Sequence, residues 1–280
     1  MFYLGGVLFL SIVSQTILDP IVDGHLHTDF RGGAATSSGI LRTQQELLRQ
    51  LREAGAIAAI GHTGEEDKDY YDLRHLQIYH TAGIGLSTKP EDVERGLREG
   101  KYRGIKIYLG YVHRFANDPL YEPFYKLAAR YNVPVVFHTG DTLGRYALLK
   151  FAHPLTIDEV AVAHPDTDFV IAHMGNPWVK DAALVVAKNP NVYVDTSGFL
   201  VGSPQNKNAE SLRMLVIEPM RFFWHWVDNP EKIIFGSDWP VMPIAPWAQL
   251  HREIFPPEHL SHILCQNAIR VFRLPLNPHF

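Results

Sequence analysis

Short apolar runs and longer amphipathic stretches alternate along the chain from residue 20 onward. The apolar runs are rich in Val and Ile and are continuous, which is typical of parallel strands buried on both faces. The stretches between them place apolar residues at helical spacing. This rhythm predicts a parallel sheet whose strands are connected by helices.

The pattern contains eight strands and about eight helical units. Strands are predicted over residues 20–27, 56–63, 84–88, 103–111, 133–140, 168–176, 191–198 and 232–240. Helices are predicted over 42–55, 69–83, 89–100, 118–132, 156–165 and 178–190, within 208–230, and over 246–255 and 258–272. This count favours an α/β fold with a single (β/α)8 TIM barrel, with a doubly wound open sheet as the alternative.

Residues 1–18 are apolar and uncharged and precede this pattern. No Lys or Arg comes before the run, so we interpret it as an N-terminal extension, packed or loosely attached, rather than a signal peptide. No Pro-, Gly- or Ser-rich linker divides the remainder. Residues 19–280 are therefore predicted to form one barrel domain.

Composition restricts the partners. The formal net charge of −4 over 280 residues leaves no basic footprint for nucleic acid. A single cysteine excludes an internal disulfide and fits a reducing, cytoplasmic location. We expect no membrane partner and a small-molecule substrate, while a homo-oligomer stays open. The fifteen histidines are the unusual feature, because histidine is the commonest metal ligand.

Reactive side chains follow the apolar part of several predicted strands, where TIM-barrel enzymes build their active sites. His25 and His27 are two residues apart, so a strand directs both to one face. His138 and His173 end the fifth and sixth strands, and Asp238 ends the eighth. In a closed barrel the first and eighth strands are neighbours, so these side chains predict a metal site.

Five motifs carry a resemblance to a known family: VDGHLHTDF, GIKIYLGY, VPVVFHTGD, FVIAHMGN and IIFGSDWP. In this order they resemble the amidohydrolase superfamily, and within it the amidohydrolase-related (amidohydrolase 2) family. The resemblance implies a distorted TIM barrel with one or two zinc-type ions, zinc itself or another divalent metal such as Mn or Fe.

The resemblance also implies roles for individual residues. His25 and His27 would bind the first metal, and His138 and His173 a second one. In a mononuclear site, His138 would join the single metal and His173 would hydrogen-bond the nucleophilic water or the substrate. Asp238 would bind the metal and shuttle the proton, so Asp238 and His173 are the predicted catalytic residues.

Lys106 in GIKIYLGY decides the expected metal count. In dinuclear relatives a strand-four lysine is carboxylated and bridges two ions, which a bare ammonium would repel. The alternatives are a lysine paired with Asp238 or Asp141, or one that binds an anionic substrate.

Five further residues are predicted to bind substrate because they lie at strand ends or on the loops that follow: His62, Tyr108, His113, Asp141 and Arg145. The resulting hypothesis is a metal-dependent hydrolase acting on a C–N or C–O bond of an amide, cyclic amide, ester or lactone. The alternatives are a metal-dependent non-oxidative decarboxylase of an aromatic or unsaturated carboxylate and, less favoured, an inactive metal-binding barrel.

Overall fold

The computed structural model describes residues 19–65 and 69–276. The extension proposed for residues 1–18 lies outside the described residues, so the domain boundary at residue 19 stays a prediction. Within the described ranges, no helix is long and apolar enough to cross a membrane.

Eight parallel strands form the sheet in the order β1 to β8. Their bounds are β1 Ile21–Leu26, β2 Ala56–Glu65, β3 Ile78–Ile84, β4 Tyr102–Ile107, β5 Val135–Phe137, β6 Phe169–Ile171, β7 Val192–Asp195 and β8 Ile233–Ile234. The segment after β8 closes the ring on β1, because Gly24 N donates to Phe235 O at 2.8 Å and His27 N donates to Trp239 O at 2.8 Å. The predicted (β/α)8 barrel is thereby confirmed.

The α-helices cover the outside and one end of this barrel. They are α1 Gln44–Ala54, α2 Pro90–Arg98, α3 Glu122–Tyr131, α4 Thr156–Ala163, α5 Val179–Lys188, α6 Ala209–Leu212, α7 Glu218–Val227, α8 Ile244–Ile254 and α9 Asn267–Val271. Helix α1 shows how local sequence sets the bounds. Thr43 accepts a hydrogen bond from Glu46 N at 3.1 Å, and Gly55 at φ 72° ends the helix in the left-handed conformation.

The connection between β2 and β3 departs from the prediction. Instead of a helix over 69–83 and a strand over 84–88, the chain makes a short 3-10 turn at Arg74–Leu76 and enters β3 at Ile78. Gln77, at φ 59°, ends the turn. Strand β3 is buried along its whole length, and periodicity alone does not distinguish such a strand from a buried helix.

The side chains inside the barrel change from apolar to polar along the barrel axis. Ile60, Val136, Val170 and Ile234 pack in one buried cluster with Ala268 of α9, near the amino ends of the strands. Side chains alternate between the two faces of a strand, so the next inward position lies two residues further along. After Ile60 and Val136 that position holds His62 and His138, whereas after Val170 and Ile234 it holds Ala172 and Gly236. The polar side chains of His173 and Asp238 follow β6 and β8 a little further on, at the carboxyl ends where the site forms.

Candidate metal centre

A cavity of about 840 Å³ opens at the carboxyl ends of the strands. All six predicted metal ligands line it, as do two of the predicted substrate-binding residues; they are His25, His27, Lys106, His138, His173, Asp238, Tyr108 and Asp141. Residues from both ends and the middle of the chain therefore meet in one chamber. This volume is in the range of small-molecule sites.

His25, His27 and Asp238 form one compact group in the cavity, and His25, His173 and Asp195 form a second group of similar spacing. The Oδ1 atom of Asp238 lies 3.1 Å from His27 Nε2 and 3.6 Å from His25 Nε2. One ligand atom from each of the three residues lies within 4.8 Å of the other two. This spacing suits the donors of a single cation.

Hydrogen bonds on the far sides of the two rings define their tautomers. His25 Nδ1 lies 2.7 Å from Asp195 Oδ2, and His27 Nδ1 lies 3.2 Å from the carbonyl oxygen of His62. Both partners are acceptors, so each Nδ1 carries a proton, and in the neutral form of either ring Nε2 presents a lone pair. When His27 is protonated, its Nε2 donates to Asp238; when both rings are neutral, two lone pairs and the carboxylate of Asp238 converge. A cation satisfies such a set of acceptors.

The electrostatics of the group follow from this convergence. Burial alone would raise the pKa of Asp238, but the hydrogen bond to His27 and the nearby imidazoles of His173 and His25 lower it to about 2. Burial opposes the charge on His27, whose pKa is nevertheless raised by Asp238. Burial and then Lys106 hold the pKa of His25 well below its usual value. The site therefore keeps the ionised carboxylate of Asp238 beside the neutral imidazole of His25.

His138 and His173 form a second pair beside this group. His173 Nε2 lies 3.1 Å from His138 Nδ1, and the other nitrogens are held by Ser197 Oγ at 2.8 Å and the carbonyl oxygen of Asp141 at 3.1 Å. Burial lowers the pKa of both imidazoles. Asp141, predicted to bind substrate, thus supports His138 through its backbone carbonyl, while its carboxylate accepts a hydrogen bond from Thr142 N.

Lys106 enters the cavity from β4 and is 1% exposed. Its Nζ has no hydrogen-bond partner among the described residues, and it lies 5.6 Å from the ring centre of Tyr108. Burial lowers the pKa of this ammonium to about 8, against the opposing effect of Asp195 and Asp238. A buried amine of this kind is suited to modification or to binding an anion. Tyr108 itself donates to Thr63 O at 2.6 Å.

Three predicted substrate-binding residues do not line the cavity. His62 is 1% exposed, lies behind His25 with ring centres 4.1 Å apart, and bonds Thr81 Oγ1 at 2.7 Å. His113 bonds Tyr146 O, and Arg145 stacks on the ring of Tyr146. Their roles in substrate binding stay predictions, since these contacts place them under or beside the chamber.

Sequence reasoning missed Asp195, which is 1% exposed at the end of β7. It bonds His25 and, through Ser197, His173. The available signal was its place in the motif VYVD, where an acid ends an apolar strand as Asp238 does. A buried carboxylate at that position requires donors, and the histidines of the neighbouring strands supply them.

Both predicted catalytic side chains are carried by strained backbone. His173 has φ 59° and Asp238 has φ 58°, both in the left-handed region that residues other than glycine rarely adopt. Such residues cost about 1–3 kcal/mol each and are concentrated at functional sites. Gly198 faces both of them, and a Cβ there would lie 2.6 Å from His173 Nδ1.

Comparison with known proteins adds independent information. The family model Amidohydro_2, described as amidohydrolase, matches residues 29–274. Protein fluG of Emericella nidulans is 22% identical over 219 residues, which are 77% of this chain and 20% of that protein. The chain therefore spans about a fifth of the length of this curated relative.

Solved structures of similar fold include enzymes of two reaction types. A probable 2-pyrone-4,6-dicarboxylic acid hydrolase of Acinetobacter baumannii has a TM-score of 0.63 at 16% identity, with 91% of this chain and 98% of that chain covered. The 5-carboxyvanillate decarboxylase LigW of Sphingomonas paucimobilis has a TM-score of 0.60 at 12% identity, with the same two coverages of 91% and 98%. At these sequence identities, the structural similarity establishes a shared fold only.

Proposed function

Because this chain belongs to the Amidohydro_2 family of amidohydrolases, we propose that it is a metal-dependent hydrolase. Its substrate would be a small molecule with an amide, cyclic amide, ester or lactone, whose C–N or C–O bond is cleaved by water. One observation carries the proposal: a ring nitrogen of His25, a ring nitrogen of His27 and a carboxylate oxygen of Asp238 lie within 4.8 Å of one another in a chamber of about 840 Å³.

The proposed ligands of one divalent cation are His25, His27 and Asp238, with His138 completing the set. With two ions, His138 and His173 would instead bind the second one, together with a carboxylated Lys106. When bound, such a cation lowers the pKa of water and polarises a carbonyl group. The donor set of imidazole and carboxylate suits zinc, and also Mn or Fe.

The chain's own residues would carry the proton. Asp238 is ionised throughout the neutral pH range, so it can accept the proton of the attacking water and pass it to the leaving nitrogen or oxygen. His173, bonded through Nδ1 to Ser197, would orient the water or the substrate with Nε2. The apolar side chains of Phe199, Leu200 and Val241 wall the chamber and limit water beside the reacting bond.

The test combines metal analysis with a substrate panel. Purified protein should contain about one or two equivalents of a divalent metal, and metal-loaded protein should hydrolyse at least one member of a panel of lactones, esters and amides. A chelator should abolish turnover, and added metal should restore it. Protein that binds no metal after reconstitution contradicts the proposal.

A decarboxylase is the second candidate, and Lys106 is the observation that favours it. Its ammonium group lines the cavity without a hydrogen-bond partner among the described residues, so it can receive the carboxylate of an aromatic acid. Aromatic carboxylates therefore belong in the same panel. Release of CO2 without hydrolysis of any lactone, ester or amide would replace the hydrolase proposal by a lyase.

A further inference from the structure

Asp195 bonds two histidines of the site from one buried carboxylate. Its Oδ2 accepts from His25 Nδ1 at 2.7 Å. Its Oδ1 accepts from the backbone nitrogen atoms of His173 at 3.0 Å and Ser197 at 3.1 Å, and also from the Ser197 hydroxyl. One oxygen thus has three donors and the other has a single imidazole.

The donors around the two oxygens of Asp195 determine which ring nitrogen carries the proton in His25 and in His173. The Oδ2 atom offers His25 only an acceptor, so the ring proton is on Nδ1. Ser197 uses its hydroxyl proton on Asp195, so its oxygen accepts from His173 Nδ1 at 2.8 Å. Both rings are thereby left with a lone pair on Nε2, and that of His173 lies 3.1 Å from His138 Nδ1.

We propose that Asp195 is a positioning residue that sets the tautomers of both His25 and His173, so that each presents an unprotonated Nε2 to the cavity. The inference deepens the proposed function, because a neutral imidazole binds a metal only through an unprotonated nitrogen. Asp195 does not itself face an ion in this arrangement, since both of its oxygens are used by hydrogen-bond donors.

Substitution of Asp195 by Asn gives a specific expectation. The three donors around Oδ1 need an acceptor, so the amide oxygen of the new side chain should take that position. The NH2 group of the amide then faces His25 Nδ1. His25 must accept this hydrogen bond, so its proton moves to Nε2. Zinc affinity should fall about 10- to 100-fold, the usual effect of losing such a supporting partner.

The primary measurement is made on the metal-free protein. Nitrogen-15 NMR of histidine-labelled protein should report Nδ1–H for His25 in the wild type and Nε2–H in Asp195→Asn. Zinc titration in competition with a chelator gives the affinity of both proteins. Neither readout needs a substrate or turnover, and loss of packing alone would not move a proton from one ring nitrogen to the other.

Asp23→Asn is the matched control. Asp23 is also buried, but its carboxyl group accepts hydrogen bonds from Ser237 and from the backbone nitrogen of His25, and none from an imidazole among the described residues. We expect it to leave the His25 tautomer unchanged. Ser197→Ala is the second variant: His25 should keep Nδ1–H, whereas His173 loses its acceptor and should populate Nε2–H.

The outcomes separate the inference from the proposed function. Retention of Nδ1–H on His25 in Asp195→Asn overturns the inference, and so does an unchanged His173 in Ser197→Ala. The Ser197 variant decides the matter if Asp195→Asn does not fold. Wild-type protein that binds no zinc contradicts the proposed function, while the tautomers still test Asp195.

Discussion

Asp238 Oδ1 and His27 Nε2 lie 3.1 Å apart, although one residue follows the last strand of the barrel and the other follows the first. The contact exists because the segment after β8 pairs with β1 and closes the ring. Closure brings the carboxylate to the two imidazoles of the His-x-His motif. The candidate metal site is therefore a direct product of barrel formation.

Replacing Asp238 by Asn should remove both a ligand and the proposed proton carrier. We expect kcat/KM to fall about 10²- to 10⁴-fold, the range for loss of a general acid–base group, and bound metal to decrease. Circular dichroism should stay native, since the amide has the same shape. Asp168→Asn, at the opposite end of the barrel where Asp168 pairs with Arg273, is the control. Comparable activity in the two variants contradicts the role of Asp238.

Gly198→Ala should reduce activity by crowding His173. Gly198 has φ 64° and Gly202 has φ 79°, so alanine costs about 1–2 kcal/mol of stability at either position. Only at Gly198 does the new Cβ meet a site residue, 2.6 Å from His173 Nδ1, whereas nothing lies within 4 Å at Gly202. Displacement of His173 by the methyl group should lower kcat/KM about tenfold or more, and Gly202→Ala should retain it. Equal activities in kinetic assays of both variants would show that this contact is unimportant.

Lys106 should control how much metal the protein binds if its amine is carboxylated. Burial lowers its pKa to about 8, so a substantial neutral fraction is available to react with CO2 near that pH. Bicarbonate should then increase the metal bound per chain, and carbon-13 NMR with labelled bicarbonate should show a carbamate signal. Both effects should be absent in Lys106→Met. A metal-loaded wild-type protein without that signal would leave Lys106 as an anion-binding ammonium.

His251 should destabilise the protein in acid. It is buried, with Nδ1 bonded to Trp247 O at 2.9 Å and Nε2 to Thr196 Oγ1 at 2.8 Å. Burial lowers its pKa to about 4 from the ordinary 6.5. The unfolded chain therefore takes up the proton first, so stability present above pH 6.5 is lost as the pH falls towards 4, by about 3 kcal/mol.

The matched measurement for His251 is urea unfolding at pH 7.5 and pH 4.5. His251→Gln cannot titrate, so it should lose less stability between the two pH values than the wild type, even if it is less stable at both. His225→Gln, at an exposed position on α7, should behave as the wild type does. Identical pH dependence of all three proteins would contradict the assignment. The buried Asp23 titrates in every one of them, so the difference isolates His251.

The barrel and most of its helices were predictable because they depend on local patterns. Continuous apolar runs predict buried parallel strands, and polar residues at the ends of β5, β6 and β8 indicate the rim where a site forms. The exception was the segment 69–83, where the fully buried β3 follows a short turn at Arg74–Leu76. A strand buried on both faces carries no alternation that separates it from a buried helix.

From the sequence alone it was possible to name most side chains of the candidate site, because their residue types and positions at strand ends are local properties; Asp195 was missed. Tertiary structure alone decided which atoms face one another. The hydrogen bond from His25 Nδ1 to Asp195 turns the Nε2 atom of His25 towards the cavity. His62, His113 and Arg145 do not line that cavity. Ring orientation and the position of a proton depend on hydrogen-bond partners from distant strands, and those partners become neighbours only when the barrel closes.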